Sequence, residues 1–131
     1  MVEKDLTVLV IDDESLILTL VNSFLRKSRF LPFLAGDMVQ ARRIVLESER
    51  GIDIVLADVT LPIRGRDEFW AVLQDRFPGA RVVHMSGFPE DQADLPHWAG
   101  PRFFLQKPFK GAELLSILER ASQAMRSAGG F

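Results

Sequence analysis

Two uninterrupted apolar runs in this chain each end in acid. Val8-Leu9-Val10-Ile11 opens onto Asp12-Asp13-Glu14, and Ile54-Val55-Leu56-Ala57 opens onto Asp58, with Val59-Thr60-Leu61-Pro62 behind it. Short, fully apolar runs suit strands of a parallel sheet covered on both faces. In such a sheet all strand C-termini share one edge, where ligands bind, so runs far apart in sequence can deliver Asp12, Asp13 and Asp58 to one site. Massed carboxylates repel one another, and a hard divalent cation such as Mg²⁺, which takes carboxylates, waters and phosphate oxygens, relieves that repulsion. The pattern points to metal-assisted phosphoryl chemistry.

Two further strand-like runs add the complementary groups. Arg81-Val82-Val83-His84-Met85 ends at Ser86-Gly87, and Arg102-Phe103-Phe104-Leu105-Gln106 ends at Lys107-Pro108. A hydroxyl and an ammonium are the groups that would hold the oxygens of a phosphoryl carried by one of the acids. One more run lies at Phe30–Ala35, and the first two extend over Leu6–Ile11 and residues 52–57. Helical patterns separate them: Leu16, Leu20, Phe24 and Leu25 with Ile17 and Val21; Val39, Ile44 and Val45 after a capping-box-like Asp37-x-x-Gln40; Phe69, Trp70, Val72 and Leu73; and Leu114, Leu115, Ile117, Leu118 and Ala121. Five βα units predict an α/β domain with a parallel sheet.

With these landmarks in order, the chain resembles the receiver domain of two-component response regulators, the CheY-like superfamily, from Val8 to about Ala124. The resemblance implies a doubly wound, flavodoxin-like (βα)5 fold with strand order 2-1-3-4-5. It implies that Asp58 is the phosphoacceptor and that Mg²⁺ is the cofactor, held by Asp12, Asp13 and Asp58 with the backbone carbonyl of Thr60, Asp13 directly and Asp12 mainly through water. Ser86 falls at the switch hydroxyl, Lys107 at the phosphoryl-binding lysine, and Phe104, three residues earlier, at the rotating aromatic. The implied activity is Mg-dependent transfer of a phosphoryl group from a partner histidine kinase or phosphotransfer protein to Asp58. The chain is then a self-phosphorylating and self-dephosphorylating signalling domain, not a metabolic enzyme, acting on a downstream partner or on an output domain of a longer parent. Leu105-Gln106-Lys107-Pro108-Phe109 has the flavour of receivers in hybrid histidine kinases.

The chain departs from the family's pattern in two places. Gly65 precedes Arg66 where the family has glycine later, which predicts a shifted turn and brings positive charge near the acids. Pro96 and Gly100-Pro101 interrupt the stretch before the fifth strand, so a short or broken fourth helix is expected. His84, His97, Trp70 and Trp98 read as packing residues.

At 131 residues the chain has room for one domain, read as a receiver over 1–124 with a flexible tail at 125–131. Lys plus Arg number 16 against 18 Asp plus Glu, without a basic run, so direct nucleic-acid binding is not expected. The absence of cysteine excludes disulfides and thiolate zinc sites, and no apolar stretch approaches the roughly 20 residues of a membrane span. A cytoplasmic protein is expected, and a homodimer is compatible with this reading. Two rivals remain: a pseudo-receiver that keeps the fold without phosphorylation, and a haloacid-dehalogenase-like phosphatase, whose Asp-x-Asp-x-Thr motif Asp58-Val59-Thr60 does not supply.

Overall fold

The computed structural model describes residues 4–62, 64–93, 95, 96, 98 and 100–129. Five strands, β1 (Leu6–Ile11), β2 (Phe30–Ala35), β3 (Ile54–Asp58), β4 (Arg81–Ser86) and β5 (Arg102–Gln106), form one parallel sheet in the order β2-β1-β3-β4-β5. Four α-helices accompany them among the described residues: α1 (Ser15–Arg26), α2 (Met38–Glu47), α3 (Arg66–Arg76) and α4 (Gly111–Gly129). None of them is long and apolar enough to cross a membrane.

Side chains alternate across the sheet, so each strand feeds two cores. Val8, Val10, Ile54, Leu56, Val83, Met85 and Leu105 face α1 and α4, where they meet Val21, Leu25, Leu114, Ile117, Leu118 and Ala121. Leu9, Ile11, Val55, Ala57 and Val82 face the other way and meet Met38, Ala41 and Val45 of α2 and Phe69 and Leu73 of α3. This two-sided burial explains the uninterrupted runs. The expected start of α2 is also present: Asp37 accepts from the Gln40 amide at 2.7 Å, while the Gln40 side chain accepts from the Gly36 amide.

Where a fourth βα helix would lie, the chain makes a single 3-10 turn at Glu90–Gln92 and then continues without helix through Leu95, Pro96 and Trp98; residues 94, 97 and 99 lie outside the described set. Proline lacks the amide donor that a helix interior needs, and two prolines close together leave no uninterrupted turns. Trp98 packs in the place of the helix. It is only 4% exposed, donates its indole N–H to the Ala80 carbonyl at 3.2 Å, and lies 5.8 Å from Trp70 between ring centroids.

Several bounds differ from the sequence reading, β3 and β4 each running one residue further, to Asp58 and Ser86. β3 begins at Ile54 and not at Ile52, because the Asp53 carboxylate and amide both bond to Thr7 and close off the strand's start. The backbone is helical past Ala124 to Gly129, over most of the stretch read as a tail. Ala124, Met125, Arg126 and Ala128 are acceptable helix residues and no proline stops them. Residues 130 and 131 lie outside the described set.

Gly65 shows the shifted turn at φ 78°, directly before α3. A Cβ there would also come to 3.0 Å from the Val39 side chain. Gly65→Ala is expected to destabilise the fold by about 1–2 kcal/mol, the cost of a left-handed residue with a side chain. Gly79→Ala, where a Cβ meets nothing within 4 Å, serves as the control in urea denaturation.

Candidate functional site

The parallel sheet reverses its strand order between β1 and β3, which opens a crevice beyond their C-termini. The chain leaving each strand is tied to the end of a neighbour: the Asp12 amide donates to Ala35 O at 3.1 Å, Val59 to Met85 O at 2.9 Å, and Lys107 to Ser86 O at 2.7 Å. These bonds fix where the functional side chains begin.

Lys107 sits at the centre. Its Nζ donates to Asp12 Oδ2 at 2.7 Å, Asp58 Oδ2 at 3.1 Å and Glu14 Oε1 at 3.4 Å. Both aspartates are buried, at 0% and 2% exposure, whereas Glu14 is exposed. The second oxygen of each aspartate is held locally. Asp12 Oδ1 accepts the Glu14 amide at 2.9 Å, and Asp58 Oδ1 accepts both the amide and the hydroxyl of Thr60, at 2.9 and 2.7 Å. The peptide bond from Lys107 to Pro108 is cis.

Two carboxylates share one ammonium, so the buried cluster is short of positive charge. Burial pushes the Asp12 carboxyl up, and the bonds from Lys107 and the Glu14 amide pull it only part of the way back. Burial also opposes the charge on Lys107, but hydrogen bonds to Asp12 and Asp58 outweigh it and hold the ammonium above its ordinary range. Carboxylate oxygens of Asp12, Glu14 and Asp58 lie within 4.8 Å of one another. An all-oxygen set with an unmet charge deficit suits a hard cation such as Mg²⁺.

Of the residues singled out from sequence, Asp12, Asp58 and Lys107 are brought into contact, and Thr60 binds Asp58 through its side chain and amide. Asp13 is exposed and outside the three-carboxylate cluster, in which Glu14 appears instead. Glu14 was legible only as the third acid of the run; it stands at the N-cap of α1, where its carboxylate reaches Lys107. Ser86 is fully buried at the end of β4, where its Oγ accepts the Phe88 amide at 2.9 Å. Phe104 is half-buried on β5, in register with His84.

His84 is 1% exposed, and among the described residues neither of its ring nitrogens has a hydrogen-bond partner; nor does the buried Trp70 indole N–H. Both rings line a cavity of about 10 Å³ with Ala57, Asp58, Arg66 and Pro96. That volume admits about one water molecule and no aromatic ring. Burial, reinforced by the charge of Arg102, lowers His84 to about 4. His97 lies outside the described residues.

The family model described as the response regulator receiver domain matches residues 8–119. A putative response regulator NtrX-like of Rickettsia typhi is 28% identical over 126 residues, covering 94% of this chain and 26% of the relative. The DNA-binding transcriptional regulator NtrC of Bradyrhizobium sp. (strain RP501 Parasponia) is 28% identical over 116 residues, 88% of this chain and 24% of that protein. The chain thus spans about a quarter of the length of these relatives. Among solved structures, the signal receiver domain of an HD domain-containing protein from Pseudomonas fluorescens Pf-5 superposes with a TM-score of 0.76 at 22% identity, covering 95% of this chain and 99% of that one. A response regulator receiver domain protein from Clostridium thermocellum gives 0.73 at 26% identity, with 89% and 94% covered.

Removing the shared cation should expose the charge problem. Lys107→Met is expected to cost about 3 kcal/mol at neutral pH, as expected when one partner of a buried ion pair is lost, and the deficit should narrow in denaturation at lower pH, because the Asp12 carboxyl, which burial holds above its ordinary range, takes up a proton. For His84 the sign is fixed by a folded value below the unfolded one. Its contribution is complete above about pH 6.5 and is lost as the pH falls toward 4, by about 3 kcal/mol at most. His84→Met should therefore flatten the fall in melting temperature between those pH values.

Proposed function

We propose that this chain, which belongs to the response regulator receiver domain family, accepts a phosphoryl group on Asp58 from a histidine kinase or phosphotransfer protein and passes the signal on through a protein contact. The observation that supports this best is the single ammonium of Lys107 bonded at once to two buried carboxylates, Asp12 and Asp58, at the C-terminal edge of the sheet. The receiver unit in this reading is residues 1–124, with 125–131 appended.

An Asp58 carboxylate oxygen attacks phosphorus as the bond from phosphorus to the donor's histidine nitrogen breaks, and the bonding pair leaves with that nitrogen. The product is an acyl phosphate. Thr60 keeps the carboxylate oriented through two hydrogen bonds to Oδ1, leaving Oδ2 on the side of Lys107. Lys107 neutralises charge that gathers on the transferred oxygens. The Ser86 hydroxyl, which accepts the Phe88 amide and so keeps its own hydrogen free, would donate to a phosphoryl oxygen. Mg²⁺, held by Asp12 and Asp58 with Asp13 and the Thr60 carbonyl, would offset the remaining negative charge, and Glu14 is close enough to contribute. Phe104 would respond on the same sheet face, although the cavity beside His84 is too small to receive its ring.

The downstream partner is a protein surface or an output domain, as the name of the longer NtrC relative suggests; no direct nucleic-acid contact is assigned to this chain, and a homodimer is compatible with it. Incubation with Mg²⁺ and acetyl phosphate should add one phosphoryl group to the wild type by intact-mass measurement, and Asp58→Asn should abolish the addition. Equal modification of both proteins would refute the assignment of Asp58, and no modification of either would favour a pseudo-receiver.

A further inference from the structure

Arg66 is a cation beside the site with no assigned role. It is the first residue of α3, directly after the left-handed Gly65, and with Asp58 it lines the small cavity under Pro96. Its guanidinium is committed to backbone: one Nη2 donates to Leu61 O at 3.2 Å and, more weakly, to Val59 O at 3.5 Å. These carbonyls belong to the peptide units on either side of the one that carries the Thr60 carbonyl. Holding both outer planes leaves the middle plane few orientations.

The rest of the loop is braced independently. The Val59 amide is tied to Met85 O, the Thr60 amide and hydroxyl to Asp58, and the Leu61 side chain is buried at 3% exposure in the core under α2 and α3. Among the described residues, Arg66 therefore supplies the one side-chain restraint on the carbonyl side of this loop that comes from outside it. A guanidinium suits the task because its planar fork of donors can serve two acceptors, whereas an ammonium on a flexible stem is a point charge.

We propose that Arg66 is a positioning residue for the phosphoacceptor loop: by clamping the Val59 and Leu61 carbonyls it presets the Thr60 carbonyl for a divalent cation. This rests on the receiver reading above. The one-residue-early glycine and the arginine after it then work together, since the left-handed turn at Gly65 sets α3 going where its first side chain can reach back to the loop.

The test compares wild type, Arg66→Met and Arg66→Lys by Mg²⁺ titration followed through the Thr60 and Leu61 amide resonances, with melting temperatures in chelator alongside. Arg66→Met should weaken Mg²⁺ binding about threefold to tenfold, the effect of losing one or two ordinary hydrogen bonds, with Arg66→Lys in between. The extent of acetyl phosphate modification at saturating Mg²⁺ should stay at the wild-type level, so that the Mg²⁺ midpoint moves and the endpoint does not. Should Arg66→Met fail to fold, a shifted midpoint in Arg66→Lys at unchanged melting temperature supports the proposal by itself. Equal Mg²⁺ affinity in all three proteins, or a reduced endpoint with an unmoved midpoint as for direct phosphoryl contact, overturns it while leaving the receiver reading intact. A wild type that binds no Mg²⁺ overturns the metal reading and this proposal with it.

Discussion

The site depends on one ammonium placed between two carboxylates that have lost their water. Asp12 and Asp58 reach the sheet edge because β1 and β3 are adjacent across the reversal in strand order, and that adjacency would be costly without Lys107 arriving from β5, two strands away from β3. Burial leaves Asp12 reluctant to ionise, and although burial opposes the charge on Lys107, its bonds to Asp12 and Asp58 leave it reluctant to give up its proton. A protein in this condition is poised to gain from another cation and to respond when the balance of charge changes. The fold thus carries an electrostatic deficit at the end of an otherwise apolar sheet.

The two faces of the sheet differ in how they are covered. One has α1 and α4 laid along it with a continuous aliphatic core. The other has α2 and α3 and then, beyond β4, a prolyl segment held by Trp98. Aromatic area substitutes for helix there, and the substitution is imperfect: among the described residues, His84 and Trp70 retain buried polar atoms without partners. Such a face is held by a few large side chains and not by a ladder of backbone bonds, so its stability concentrates in few contacts.

Much of this was legible in the sequence because burial on both faces writes itself as unbroken apolar runs, and strand ends write themselves as the first polar residue after each run. Asp58 and Ser86 could be placed by that rule, whereas Lys107 follows Gln106 and was marked by the proline after it. Strand order could not, since periodicity carries no information on which strands are neighbours; it came from the family resemblance. The break in the fourth helix was legible from Pro96 and Pro101, whose backbone chemistry is independent of context. Three features were not legible. Which of Asp12, Asp13 and Glu14 turn inward depends on the residue at which α1 starts. The start of β3 depends on Asp53 meeting Thr7, 46 residues away. The helix past Ala124 runs through residues whose propensities are too weak to decide against a frayed end.

The aromatic patch has an optical consequence. Trp70 and Trp98 are the chain's two tryptophans, and their rings lie 5.8 Å apart on the face that has traded a helix for side chains. All indole emission from the protein therefore originates in one small region, beside Asp58 and under the prolyl segment. Tryptophan fluorescence is blind to the α1 and α4 side of this molecule and reports on the half that carries α2, α3 and the prolyl segment.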